Sequence, residues 1–336
     1  MAYEFAFANK LKSRKFFSKK RKRAGKDWAK GFLERHPNIK ETIAKSLSAA
    51  RAIAANPQQV RAWFKVYENL RNKLHITDPR NIWNFDETGV QDIPKDQLVW
   101  AENGKTCYHI VSGEKGETST IVGWCNAAGE VIPPLIIHKG QRVPLHWEAE
   151  KPGGCYCRAT ETGYINKDKL YEYGKAFIRF LKYNNRLGSP HIVLMDGHSS
   201  HVYNTPFYEL MRENNVYLIC IPAHTTHVLQ PLDLFPFALF KKFWEWYLDN
   251  WNFKNAGQKL PKKKFWDVFW PAWKRGMTKK AIFRAFFDTG LNPVEVENVN
   301  WAKLDPSKVT EEEERDPEGY SKLPLFLFRS SVCFTC

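Results

Sequence analysis

Three aspartates stand in unusual surroundings in this sequence. Asp86 follows the apolar residues 82–85 and Asp196 follows the apolar residues 192–195, two short runs that predict buried strands, whereas Asp233 lies at the start of a later predicted helix. An ionised carboxylate beside such a run is unfavourable unless it is paired or binds a metal ion. Carboxylate oxygens are the ligands that Mg²⁺ and Mn²⁺ prefer. Two such ions held by converging acids would activate a water molecule and stabilise the leaving oxygen of a phosphodiester.

Each of these aspartates also has a simpler explanation. Asp86 and Asp196 would form turns before Gly89 and Gly197, and Asp233 would cap a helix. Taken together, three acids on one predicted sheet edge favour metal binding, because ligand-binding groups gather beyond the carboxyl ends of strands in open α/β sheets. We therefore predict Asp86, Asp196 and Asp233 as the catalytic and metal-binding residues, with two Mg²⁺ or Mn²⁺ ions as cofactors.

Two histidine pairs lie close to the second and third aspartates: His198 with His201, and His224 with His227. Paired imidazoles at this spacing occur in zinc sites, so a zinc-dependent hydrolase is one hypothesis. Neither pair has a thiolate close in sequence, and Mg²⁺ prefers oxygen ligands. We therefore predict that His198, His224 and His227 support the metal ligands from outside the coordination sphere.

The composition favours a polyanionic partner and disfavours a membrane protein. The 336 residues include 51 Lys and Arg against 36 Asp and Glu, which gives a formal charge of +15 and a sequence pI near 9.4. A concentrated basic excess is typical of nucleic-acid-binding proteins. No apolar run approaches the roughly 20 residues that span a bilayer, and we expect neither a membrane span nor a secretory signal. The seven cysteines form no repeated CxxC pairs, which favours reduced thiols.

The basic excess is greatest in residues 10–26, which carry ten positive charges and no negative one. Such a run repels itself unless phosphates neutralise it. We predict a basic arm over residues 1–24 and a set of cations that bind DNA: Lys19, Lys20, Arg21, Lys22, Arg23 and Lys26. Residues 19–23 would also serve as a nuclear import signal, which predicts a nuclear protein. The alternative for this segment is a solvated tail.

Residues 25–75 contain three predicted helices. The first stops at a proline, the second lies within residues 38–55 and is rich in small side chains, and the third begins at Pro57. The third helix has apolar residues every three or four positions, so we expect it to pack on the two before it. Three short helices behind a basic arm indicate a helix-turn-helix module in which Ser46 and Arg51 contact DNA, with a plain helical bundle as the alternative.

From residue 80 onwards, alternating strand and helix patterns predict an α/β architecture, a mixed sheet flanked by helices. Besides the two strands that precede acids, the patterns predict a hairpin, a further strand and three helices: strands 119–125, 131–138 and 216–221, and helices 167–183, 206–214 and 234–248. We assign residues 80–250 to a catalytic domain.

A Trp-rich helical extension is predicted for residues 251–300, followed by a tail over residues 301–336. Aromatic residues among cations can stack on unpaired bases while the cations neutralise phosphates. The helical spacing of Trp266, Trp270 and Trp273 instead favours a packed core. Both interpretations remain open on the sequence alone.

The motifs around the three aspartates resemble those of the DDE endonucleases of the pogo and Tigger transposases, which are related to centromere protein B and the jerky proteins. The resemblance rests on three segments: WNFDETG at 83–89, MDGHSSH at 195–201 and PAHTTHVLQPLD at 222–233. Residues 279–291 resemble the closing helix of that family, and residues 25–28 resemble part of its DNA-binding region. The resemblance extends over nearly the whole chain up to about residue 300.

The resemblance implies a ribonuclease H-like catalytic domain in which Asp86, Asp196 and Asp233 hold two Mg²⁺ ions and cut and rejoin DNA at transposon ends. Family members carry a further helix-turn-helix ahead of the matching region, which predicts that this chain is part of a longer protein. Residues 324–336 resemble nothing in the family. We expect a transposon-derived nuclear protein with a DNA endonuclease domain; the alternative is a domesticated DNA-binding protein without catalysis. The sequence leaves the oligomeric state open, a homodimer included.

Overall fold

The computed structural model describes most of the chain, in these ranges: residues 17–18, 23–37, 57–93, 116–143, 145–197, 204–255 and 258–303. The chain divides into two compact units, Met1–Ser48 and Ala49–Cys336.

The smaller unit contains a two-stranded ladder and a helix. Strand β1 (Phe17–Ser18) pairs antiparallel with β2 (Arg23–Ala24), and helix α1 (Lys26–Arg35) follows directly. The rings of Trp28 and Phe32, one helical turn apart, stack with their centroids 5.2 Å apart. The first predicted helix is therefore confirmed, whereas the second, in residues 38–55, lies outside the described residues.

The larger unit is built on a six-stranded mixed sheet with the order β6-β5-β4-β3-β7-β8. Its strands are β3 (Ile82–Gln91), β4 (Thr118–Asn126), β5 (Val131–Lys139), β6 (Tyr156–Thr160), β7 (His191–Met195) and β8 (Val216–Cys220). Strands β3, β4 and β5 are antiparallel neighbours, β7 runs parallel to β3 and β8, and β6 runs parallel to β5. The predicted hairpin and strands are confirmed. Strand β6 was not predicted, because it is a short edge strand with weak alternation of polar and apolar residues.

Helices cover both faces of this sheet. They are α2 (Pro57–Lys73), α3 (Leu145–Glu150), α4 (Lys167–Tyr183), α5 (Thr205–Glu213), α6 (Thr226–Leu229), α7 (Pro231–Leu234), α8 (Pro236–Lys254), α9 (Phe265–Gly276) and α10 (Lys279–Asp288). The single helix predicted over residues 234–248 is interrupted at Phe235, because a residue that precedes proline disfavours the helical conformation. Pro236 occupies the first turn of α8, as predicted.

Two hydrophobic cores lie on opposite faces of the sheet, because successive strand residues point to opposite sides. The first core, which includes Ile82, is covered by α2, α8, α9 and α10; the second core, which includes Trp83, is covered by α4 and α5. The first core contains Trp266 and Trp273, and the partly buried Trp270 packs against it. The packed-core interpretation of these tryptophans is therefore confirmed, and the α/β prediction with it.

Helix α2 packs on the sheet of the larger unit. Its apolar residues belong to the first core of the larger unit. The Trp63 indole N–H donates a hydrogen bond to the Cys220 carbonyl at 2.8 Å, and the Tyr67 hydroxyl donates to the Leu291 carbonyl at 3.0 Å. The predicted packing of this helix on the two helices before it stays a prediction, because the helix predicted in residues 38–55 lies outside the described residues. The predicted domain limits remain predictions.

Candidate active site

The sequence predicts that Asp86 follows the end of its strand. In the structure, Asp86 lies inside β3. Strand β4 continues to pair with β3 as far as Gln91 and places Gly123 opposite Asp86. Backbone hydrogen bonds to β4 therefore keep β3 extended beyond the acid. On the other side, the pairing of β3 with β7 ends at Asn84 and Leu194. Asp86 thus stands where β3 loses its parallel neighbour, level with the carboxyl end of β7.

The parallel register brings Asp196 beside Asp86. Asn84 pairs with Leu194, so the two acids are each two residues further along their chains and on the same face of the sheet. Asp196 directly follows Met195, the last residue of β7, and is half-buried. Asp86 is only 7% exposed. Two carboxylates therefore meet at one sheet edge, as predicted from the apolar runs that precede them.

Asp233 joins them from α7, the short helix that contacts β3. Its carboxyl lies close enough to that of Asp86 for repulsion between the two groups to raise the pKa of Asp86. Asp196 raises the pKa of both Asp86 and Asp233, which means that the third acid lies close to the other two. The structure thus brings together the three aspartates on which the sequence prediction rested.

The electrostatics of the cluster are unfavourable without a cation. Burial, followed by repulsion from Asp233, holds the pKa of Asp86 well above its ordinary value. Burial also raises the pKa of Asp233, while Lys241 on α8 partly offsets that rise. Asp233 is nonetheless exposed, so water screens its charge. Its pKa therefore rises less than that of Asp86.

The donor atoms of the cluster fit a hard divalent cation. The Asp86 Oδ2 atom is buried and has no hydrogen-bond partner among the described residues. A buried carboxylate oxygen without a donor is destabilising unless a cation binds it. Oxygen donors of this kind suit Mg²⁺ and Mn²⁺ better than zinc. Within the same described ranges, no group of three or more His, Cys, Asp or Glu side chains is already arranged to hold a metal ion.

Two buried amide side chains connect the elements that carry the acids, and our sequence reasoning missed both. Asn84 and Gln230 are fully buried and hydrogen-bonded to each other. A signal was present, because each amide lies within an apolar stretch, Asn84 two residues before Asp86 and Gln230 three residues before Asp233. Buried polar side chains of this kind need partners, and theirs come from the chain around the acids.

The predicted supporting histidines are only partly described. His224 and His227 are exposed near the start of α6, and His224 has a positive φ of 63°. His198 and His201 lie outside the described residues. Their predicted supporting role and the zinc hypothesis therefore both remain predictions.

Most of the predicted DNA-binding residues also lie outside the described ranges: Lys19, Lys20, Arg21, Lys22, Ser46 and Arg51. The backbone of Arg23 lies in β2, and Lys26 is exposed at the first position of α1. The DNA-binding role of these residues stays a prediction.

The mixed sheet, its helical layers and its acid cluster define a ribonuclease H-like fold, and solved structures share that fold. The Mos1 mariner paired-end complex with manganese matches with a TM-score of 0.55 and 14% identity over 94% of this chain and 80% of that chain. A pre-cleavage Mos1 transpososome matches with a TM-score of 0.55 and 13% identity over 88% and 74% of the two chains. At these identities the likeness establishes the fold.

Family membership follows from the sequence. The sequence model of the DDE superfamily endonuclease family matches residues 116–286, about half of the chain. The chain belongs to this family, which confirms the predicted resemblance to the DDE endonucleases. The finer assignment to the pogo and Tigger type stays a proposal.

The chain is also similar to part of a longer protein that is named as a transporter. The MFS-type transporter clz9 of Cochliobolus lunatus is 26% identical over 262 residues, which cover 77% of this chain but 28% of that relative. The chain therefore spans little more than a quarter of the relative's length. In the part of the chain that the structure describes, none of the helices has both the length and the apolar character needed to cross a membrane.

Proposed function

We propose that this chain is a DNA endonuclease and strand transferase of the transposase type, in which Asp86, Asp196 and Asp233 hold two divalent ions. The observation that supports it most is the gathering of three mutually repelling acids, one with an unpartnered buried oxygen, at one sheet edge. Perturbed acids in such a cluster are typical of functional sites. The similar Mos1 structures are transposase complexes, one of them with manganese, which supports DNA as the substrate and Mg²⁺ or Mn²⁺ as the cofactor.

The three acids differ in how deeply they are buried. The buried Asp86, Asp196 at the end of β7 and the exposed Asp233 would together hold the ions. Bound ions supply the positive charge that activates a water molecule and stabilises the leaving oxygen of a phosphodiester. Lys241 lies close enough to Asp233 to lower its pKa and would hold a phosphate oxygen of the DNA backbone.

We propose that DNA is gripped chiefly through phosphates by the basic arm and that the protein acts in the nucleus. The ten positive charges of residues 10–26 support both proposals. Removing residues 1–24 is expected to weaken binding to any DNA duplex and to flatten the dependence of affinity on salt. The readout is a fluorescence-anisotropy titration at several salt concentrations, and an unchanged salt slope would count against the arm.

Plasmid nicking tests the proposed activity. Purified wild type is incubated with supercoiled plasmid and Mg²⁺ or Mn²⁺, beside Asp196→Asn and a matched control, Asp168→Asn. Asp168 is an exposed acid in the first turn of α4, far in sequence from the cluster. We expect metal-dependent nicking by wild type and Asp168→Asn, and none above background by Asp196→Asn. Nicking that survives in Asp196→Asn, or that is absent from all three proteins, would overturn the proposal, and the second result would favour a DNA-binding protein without catalysis.

A further inference from the structure

Asn84 and Gln230 form a hydrogen-bonded pair between the elements that carry the acids. The Asn84 side-chain amide donates to the Gln230 Oε1 atom at 3.0 Å and to the Leu194 carbonyl at 2.9 Å. The Gln230 side-chain amide donates to the Phe85 carbonyl at 3.0 Å. Both side chains are 0% exposed. We refer to Asn84 and Gln230 together as the amide clamp.

The backbone groups that the amide clamp contacts all lie immediately before an acid. They are one or two residues ahead in each case: Phe85 before Asp86, Leu194 before Asp196 and Leu232 before Asp233. The third contact is the Leu232 backbone N–H, which donates to the Asn84 Oδ1 atom at 3.0 Å. The clamp therefore reaches all three acid-bearing segments at once.

The amide clamp supplies hydrogen bonds beyond the point where the backbone pairing of β3 and β7 ends. Pairing between β3 and β7 stops at Asn84 and Leu194. The first N–H groups of a helix have no partner within it, and in α7 the Leu232 N–H is satisfied by Asn84. Side-chain amides, rather than a backbone ladder, thus join α7 to the two strands.

We propose that Asn84 and Gln230 are positioning residues that set the spacing of Asp86, Asp196 and Asp233 for divalent cations, a role that rests on the proposed function. Neither amide needs to touch the DNA. Groups that orient metal ligands from behind affect metal affinity by about 10- to 100-fold when they are removed. A buried amide that only satisfies the core would affect stability and leave metal affinity unchanged.

Asn126 provides a matched control for Asn84. It is also 0% exposed and makes several side-chain hydrogen bonds: to the Glu130 carboxylate and to the backbone N–H groups of Ala128 and Glu130. It ends β4 opposite Trp83, at the other end of β3 from Asp86. Asn126→Ser therefore removes a comparable buried network without touching the acid-bearing segments.

The test compares wild type with Asn84→Ser, Gln230→Met and Asn126→Ser. Calorimetric titration gives the Mn²⁺ affinity, and hydrogen exchange of the metal-free proteins gives the protection of the amides in α7. We expect Asn84→Ser and Gln230→Met to bind Mn²⁺ about 10- to 100-fold more weakly and to exchange faster in α7. Asn126→Ser is expected to keep its Mn²⁺ affinity within about twofold, because distant sites act independently.

Unchanged α7 exchange in the clamp variants, or an equal loss of Mn²⁺ affinity in Asn126→Ser, overturns the positioning role. If Asn84→Ser does not fold, Gln230→Met carries the test, because methionine keeps the length and bulk of glutamine. A wild type that binds Mn²⁺ but nicks no DNA sinks the proposed nuclease and leaves the clamp supported by affinity and exchange. A wild type that binds no Mn²⁺ overturns both the metal site and the positioning role assigned to it.

Discussion

The two ends of strands β3 and β7 differ in whether their buried or half-buried carboxylates have positively charged partners. At the amino ends, Arg186 donates to both carboxylate oxygens of Glu130, one of them at 2.8 Å, and Asn126 donates to the same carboxylate at 2.6 Å. At the carboxyl ends, Asp86 and its two acidic neighbours gather with Lys241 as a partial counter-charge. The first end is matched in charge, and the second is not.

The charges at the amino ends stabilise the fold, whereas the charges at the carboxyl ends destabilise it. Hydrogen bonds from Arg186 lower the pKa of Glu130, so its ionised form stabilises the folded chain. Burial and repulsion raise the pKa of Asp86, so its ionised form destabilises the chain unless a cation binds. A destabilising group in an otherwise well-satisfied sheet indicates function, because natural sequences depart from local consistency mainly at functional sites.

The largest expected effect comes from Asp86→Asn. This change should lower metal-dependent nicking on the order of 100-fold or more, since it removes a proposed ligand. In EDTA the same variant should be more stable than wild type by about 0.5–2 kcal/mol, because one repelling charge is gone. Urea unfolding in EDTA and the plasmid assay measure the two effects. A variant less stable than wild type in EDTA would break the contrast between the two ends.

Arg186→Met should have the opposite effect on stability. It keeps the length of the side chain but leaves the Glu130 carboxylate without its bidentate partner. We expect a loss of about 1.5–3 kcal/mol, the range for hydrogen bonds to charged groups, with Mn²⁺ affinity retained. Urea unfolding and calorimetry give the two values. A stability loss below about 0.5 kcal/mol would show that the matched end contributes no more than an ordinary surface pair.

Glu130→Gln should show a pH-dependent loss of stability. The pKa of Glu130 is lowered below its ordinary value of 4.5, first by the hydrogen bond from Arg186. The stabilisation is therefore fully present above the ordinary pKa and disappears as pH falls through the lowered one. The difference in unfolding free energy between wild type and Glu130→Gln should be largest near neutral pH and shrink in acid. A difference that grows as pH falls would contradict this assignment.

Asp78→Ala should have the smallest effect of the series. Asp78 accepts a hydrogen bond from the Arg80 backbone N–H at 2.8 Å and caps the short turn that leads into β3. Loss of such a cap destabilises by about 1 kcal/mol, and Asp78→Asn, which can still cap, should lose less. Thermal melts of the two variants test this order. A larger loss of stability than that of Arg186→Met would show that the cap, and not the Arg186–Glu130 ion pair, contributes most to stability at the amino ends of β3 and β7.

The sequence was informative where the signal is local. An acid directly after an apolar run is unusual by itself, so Asp86 and Asp196 could be singled out together with the strands before them. The continuation of β3 beyond Asp86 depends on pairing with β4, a distant segment that no local pattern shows. The roles of Asn84 and Gln230 were missed for the same reason, because their partners come from three separate segments.

Crystals soaked in Mn²⁺ would test the central claim most directly. The account predicts anomalous scattering peaks at the carboxyl ends of β3 and β7, within direct coordination distance of oxygens from Asp86, Asp196 and Asp233, and their disappearance in Asp86→Asn. Peaks that lie elsewhere, or a cluster that stays free of metal at saturating Mn²⁺, would contradict it.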